Sequence, residues 1–416
     1  MQITSPNNKP AIRWPVDIRH ENFDNQEIIL FTCPLGLTEK PLGLLSMVAP
    51  ILAKFDGTNS VQDIANQFAT HGATLELVLE LVKLLDDHLF LDSPRFRSVF
   101  GQDKSDFAQR DSRPASHAGS GYSSNPAQLK TQLEQYFAKI TSPLVKESGQ
   151  LLTLVAPHID YHRGSQTYAH GYRYLEGESP DIVILKGTSH QYSEDLFHLT
   201  LKDFETPFGL LKNARDFTAK LATLYGTERS YRDEYLHKRE HSLELQAPFL
   251  KYFLPDVRIV PVLVGGFHTY LHNERLPEQH EEYHSFAEAL AQVVLEYRTA
   301  GSRVMFLAGV DMAHVGRHFG DSFDLTPERM QNIRAKDLEY ISCIEQADTS
   351  MLWQHVAADM DARRICGFST LYLMLDVVKR LGISPRSKLW EYRQAVDSKG
   401  ECGVTFASLG QYEPIN

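Results

Sequence analysis

Four short apolar runs constrain this chain more than any other feature. LLTLVAP (151–157), DIVILKG (181–187), VRIVPVLVGG (257–266) and RVMFLAGV (303–310) are continuous rather than alternating. Runs of that kind are strands buried on both faces, as in parallel sheets covered by helices. The segments between them have helical periodicity, as in ARDFTAKLATLYG (214–226) and HSFAEALAQVVLEYR (284–298). Strand and helix in alternation predict an α/β domain built on a central sheet. ICGFSTLYLMLDVVKRLG (365–382) reads as a late, buried helix, and Glu401–Gly410 as a final strand.

Polar residues stand directly after three of the runs. His158 follows the first, Thr188-Ser189-His190 the second, and Asp311 and His314 the last. Open α/β sheets bind ligands outside the carboxyl ends of their strands, so parallel strands would bring these groups to one rim. One histidine after a strand is an ordinary loop residue; the same habit at three strand ends points to a site. Histidine and carboxylate suit a first-row metal such as iron or zinc. His241 and Glu244 are three residues apart and would share a helix face, either as a plain N-terminal turn with a favourable acid or as a catalytic or supporting pair. Cys366, just before the late helix, is either a packed cysteine or a thiol whose pKa a helix start lowers.

The first hundred residues have a different pattern. Ser60-Val61-Gln62-Asp63 has the spacing of a capped helix start, and residues 74–88 carry a helical apolar stripe. LFLDS (89–93) reads as a short strand. Helix, turn, helix, helix and strand predict a small, mostly helical, winged-helix-like domain over 1–98. Residues 99–114, polar and poor in aliphatics, read as a linker to the α/β domain over 115–416.

Composition excludes several classes. The net charge of −11 argues against a general nucleic-acid binder. No apolar run approaches the roughly 20 residues that span a bilayer, and the N-terminus lacks the apolar core of a secretory signal, so a cytoplasmic protein without membrane attachment is expected. The four cysteines, Cys33, Cys343, Cys366 and Cys402, form no CxxC pair and read as free thiols.

Seven motifs, in order from about 115 to 410, resemble the Memo family, which includes the bacterial AmmeMemoRadiSam system protein B. They are Ala115-Ser116-His117-Ala118-Gly119-Ser120, Ala156-Pro157-His158, Gly187-Thr188-Ser189-His190, Glu240-His241-Ser242-Leu243-Glu244, Pro261-Val262-Leu263-Val264-Gly265, Asp311-Met312-Ala313-His314 and Ile365-Cys366-Gly367. The resemblance implies a fold like that of the class III extradiol dioxygenases, an α/β sandwich with a central mixed sheet and a non-haem metal at the strand ends. Carried over by position, His158, His190 and Cys366 would hold the metal. His314 would move protons, Asp311 would orient His314 or a metal-bound water, and His241 and Glu244 would complete the pocket. Three positions depart from the family pattern: Asp160 replaces a small residue, Gly121 an aromatic one, and Gln191 a histidine.

The expected function is iron-dependent redox or oxygen-linked chemistry on an unidentified small molecule or peptide, with copper or zinc as alternative metals. The winged-helix likeness is to peptide-recognition modules, and would select a partner such as a radical-SAM enzyme. The alternatives are a non-catalytic peptide- or protein-binding adaptor using the same pocket, and a zinc-dependent hydrolase.

Overall fold

In the computed structural model, which describes residues 5–38 and 40–414, the chain divides into two units between Gln109 and Arg110. In the N-terminal unit, strands β1 (Asp17–Phe23), β2 (Gln26–Thr32) and β3 (Leu42–Leu45) form an antiparallel sheet in that order. The β1–β2 reversal is the pair Asp24-Asn25, with φ of 50° and 62°. A two-residue hairpin needs such angles, and Asp and Asn tolerate them. Ser60 and Asp63 form the expected capping box on helix Val61–Gln67, and Thr74 caps helix Leu75–Asp87. Both helices bury their apolar stripe with Phe31 and Phe90.

An antiparallel sheet that the sequence did not reveal precedes the helices of this unit, and two expectations are corrected. The strand over 89–93 is a single bridge between Ile12 and Leu91; Leu89 is left-handed, with φ 61°, and Ser93 already caps the next helix. The linker over 99–114 is mostly ordered secondary structure. Helix Pro94–Ala108 runs through its first part, started by the Ser93 cap and Pro94. Its polar composition is that of an exposed helix burying only Phe96 and Phe107.

The second unit carries β4 (Ser112–Arg113), β5 (Gln150–Ala156), β6 (Ile182–Thr188), β7 (Phe197–Leu199), β8 (Asp203–Thr206), β9 (Gly209–Asn213), β10 (Arg258–Val264), β11 (Val304–Gly309), β12 (His314–Val315), β13 (Arg386–Val396) and β14 (Gly403–Glu413). They make one mixed sheet in the order β12-β14-β5-β11-β6-β10-β9-β8-β4, with β13 on β14 and β7 on β10. The four apolar runs are β5, β11, β6 and β10, adjacent and mutually parallel.

Each of these strands feeds two cores, which is why none of them alternates. On β6, Ile182 and Ile184 face a core with helices Arg215–Tyr225, Glu281–Thr299 and Phe368–Arg380. Val183 and Leu185 face the other core, with helices Tyr161–Tyr172 and Ala247–Phe253. The expected late helix and final strand are present as Phe368–Arg380 and β14. No disulfide joins the cysteines among the described residues, and no helix among them is long and apolar enough to cross a membrane.

Candidate metal centre

Strand register builds the site. Ala156 of β5, Gly309 of β11 and Gly187 of β6 lie level with one another. His158 follows two residues after the first, Asp311 two after the second and His190 three after the third, so all three emerge at the carboxyl rim. The short helix His241–Glu244 packs across that rim because two strand ends are glycine. A Cβ at Gly187 would lie 2.4 Å from Ser242 Oγ, and one at Gly309 2.3 Å from the Ser242 carbonyl oxygen.

This approach carries His241 into contact with the strand-end histidines. Ring centroids are 5.0 Å apart for His158–His190, 5.1 Å for His158–His241 and 4.5 Å for His190–His241. One ligand nitrogen from each lies within 4.8 Å of the others. Cys366 enters from the loop before the late helix, its Sγ 3.2 Å from His158 Nε2. Thr188 Oγ1 donates to the Cys366 carbonyl at 2.9 Å and ties that loop to β6.

The rings are aimed by their Nδ1 atoms. His158 Nδ1 meets the Gly309 carbonyl at 3.0 Å, and His190 Nδ1 meets Glu240 Oε1 at 2.9 Å. His241 Nδ1 lies 3.3 Å from the same Glu240 oxygen. For His158 and His190 these acceptors place the proton on Nδ1 and leave Nε2 with its lone pair, the arrangement that outer partners give to metal-binding histidines. The donor set therefore fits a first-row ion. Two donors on one tetrahedral ion, with metal–nitrogen and metal–sulfur bonds of ordinary length, sit about 3.5 Å apart, close to the observed Cys366–His158 spacing.

Electrostatics follow from burial and these partners. Burial holds His158 well below its ordinary pKa and His241 and His314 at about 4. Desolvation also opposes a charge on His190, but Glu240 outweighs it and the pKa is raised. Burial alone would raise Glu240; the charge and hydrogen bonds of His190 bring it well below the usual carboxylate range. Burial raises Asp311 to about 7 despite its hydrogen bond from the His158 backbone N–H, at 2.9 Å.

Asp311 lies against His158, and His314 Nδ1 lies 3.1 and 3.2 Å from the carbonyls of Met312 and Arg364. Burial pushes the Cys366 thiol well above its ordinary pKa, as for a packed cysteine rather than one activated by a helix start. Glu244 sits beside the cluster in its own network. It pairs with buried Arg113 at 2.6 Å, accepts from His117 Nδ1 at 2.8 Å, and accepts from Tyr122 at 2.8 Å. Burial would raise Glu244, but Arg113 holds it at about 2.

Sequence reasoning placed His241 in the pocket but not in the imidazole cluster; it gave His117 and Glu240 no role although both lie in the quoted motifs, and it missed Arg113 and Tyr122. Arg113 carried none, lying inside the segment read as a linker.

Comparison with known proteins bears on the whole of this unit. Residues 113–409 match the family model described as Memo-like protein. A MEMO1 family protein of Aquifex aeolicus is 27% identical over 384 residues, covering 91% of this chain and 94% of that protein, so the similarity reaches into the N-terminal unit. MEMO1 family proteins of Saccharolobus solfataricus and Saccharolobus islandicus are each 30% identical, over 275 and 277 residues, covering 64% of this chain and 87% of theirs.

Proposed function

The chain belongs to the Memo family, and we propose that its α/β unit binds one iron ion through His158, His190 and Cys366 and uses it for redox or oxygen-linked chemistry on a small molecule or peptide. The observation that carries this reading is the convergence of one ring nitrogen each from His158, His190 and His241, with the buried Cys366 thiol 3.2 Å from His158 Nε2. Iron in such a set supplies one-electron and oxygen chemistry. The resemblance to class III extradiol dioxygenases points the same way.

The chain's own groups divide the work. His158 and His190 present neutral Nε2 donors, aimed by the Gly309 carbonyl and by Glu240. Cys366 releases its thiol proton when it becomes a ligand. Asp311, with a pKa of about 7, exchanges a proton near neutral pH beside His158. His314 has Nδ1 engaged by two carbonyls and is neutral near pH 7, so its Nε2 carries the lone pair with which it would take up a proton transiently as a general base.

Elemental analysis of protein purified without oxygen tests this. Iron at one equivalent, lost on Cys366→Ser, is expected. Stoichiometric absence of metal, unchanged by that substitution, refutes it.

A further inference from the structure

We infer that His241 is a fourth ligand at this centre, so that the resting metal has three nitrogen donors and one sulfur donor. The inference rests on the metal reading above and goes beyond its three ligands. Three observations carry it. One ring nitrogen each of His158, His190 and His241 lies within 4.8 Å of the others, and Cys366 Sγ lies 3.2 Å from His158 Nε2. His190 and His241 stack with ring centroids 4.5 Å apart and an interplanar angle of 25°. Glu240 serves both of them: Oε1 lies 2.9 Å from His190 Nδ1 and 3.3 Å from His241 Nδ1, and it also accepts the Ser242 backbone N–H at 3.0 Å. One carboxylate therefore hydrogen-bonds one of these rings and lies within ion-pair range of the other, an outer partner shared by both.

The backbone is fitted to the same end. Gly187 and Gly309 let the Ser242 turn lie directly on two strand ends, and Ser242 Oγ donates to the Thr188 carbonyl at 2.9 Å. His241 is thereby held at the rim by its neighbour. Four protein donors would close a tetrahedral zinc shell and would leave two positions open on a six-coordinate iron.

Protein labelled with ¹⁵N at histidine, with and without one equivalent of Zn(II), decides the question. Long-range correlations detected through the ring carbon-bound protons read each Nε2. The expected result is three Nε2 signals moving to metal-bound shifts. His241→Ala should remove one of them and weaken Zn(II) affinity by at least about tenfold. Two shifted signals in the wild-type protein overturn the inference and leave the three-ligand reading standing. No shifted signal at one equivalent overturns both. Should His241→Ala fail to fold, the wild-type count alone decides.

Discussion

Gly309→Ala tests whether close packing of a helical turn on a strand end assembles the site. The new Cβ would stand 2.3 Å from the Ser242 carbonyl oxygen, 2.7 Å from Gln246 Nε2 and 2.9 Å from Gln246 Cγ. Gln246 can swing, but the Ser242 carbonyl is backbone. Real Cβ contacts stay beyond 3.0 Å, so the turn must retreat by about 0.7 Å, and the overpacking costs about 1–3 kcal/mol. Ser242 follows His241 directly, so the retreat carries the ring with it. Gln246 Nε2 also donates to the Pro157 carbonyl at 2.8 Å, next to His158, and that bond is strained too. The expected outcome is a denaturation midpoint lower by several degrees together with weakened Zn(II) binding, measured by competition with a chromophoric chelator. Gly101→Ala is the control: it is helical with nothing within 4 Å of its Cβ, and alanine there should be neutral or stabilising. Unchanged stability and unchanged zinc affinity in Gly309→Ala would refute the packing argument. Lost stability with intact affinity would separate the turn from the site.

Three further outcomes follow from buried charge. Arg113→Ala leaves Glu244 charged and buried without its main partner, and should cost about 3–5 kcal/mol in chemical denaturation; a loss below about 1 kcal/mol would mean that His117 and Tyr122 suffice. Lys186 is fully buried over the Phe306 ring, its Nζ has no hydrogen-bond partner, and desolvation drives its pKa far down. Its unfolded counterpart binds a proton below about pH 10.4, so Lys186 removes stability as pH falls from there; Lys186→Met should raise the denaturant midpoint at pH 7 and flatten its decline from pH 10 to 7. His237 donates from Nε2 to the His198 carbonyl at 3.0 Å, its Nδ1 is buried without a partner, and burial holds its pKa at about 3. Between pH 6.5 and 3 the unfolded chain therefore binds the extra proton and stability falls with pH; His237→Gln should make that decline shallower, and a parallel decline would contradict it.

The parts of the fold legible in the sequence are those buried on both sides. β5, β6, β10 and β11 feed a core on each face, so their apolar runs are unbroken, and the late helix reads clearly because nearly all of its residues are buried. β1 went unread because DIRHENF is exposed along nearly its whole length and shows no alternation. β13 is half-exposed and polar for the same reason, although its partner β14 is buried through Tyr412. Edge position, not weak propensity, hides a strand from periodicity.

The site divides along a similar line. His158, His190 and Asp311 are legible because strand register alone delivers them to the rim. His241 is not, because its place depends on two glycines far away in sequence that admit the turn carrying it. The same dependence settles the neighbouring polar residues. Asp160 caps helix Tyr161–Tyr172 through the Arg163 backbone N–H and pairs with the Arg163 guanidinium at 2.6 Å, so its charge is engaged locally. A residue that departs from the family pattern beside His158 thus acts on the helix behind the rim. The clustered rings meet Glu240 instead, whose carboxylate hydrogen-bonds His190 Nδ1 and lies 3.3 Å from His241 Nδ1.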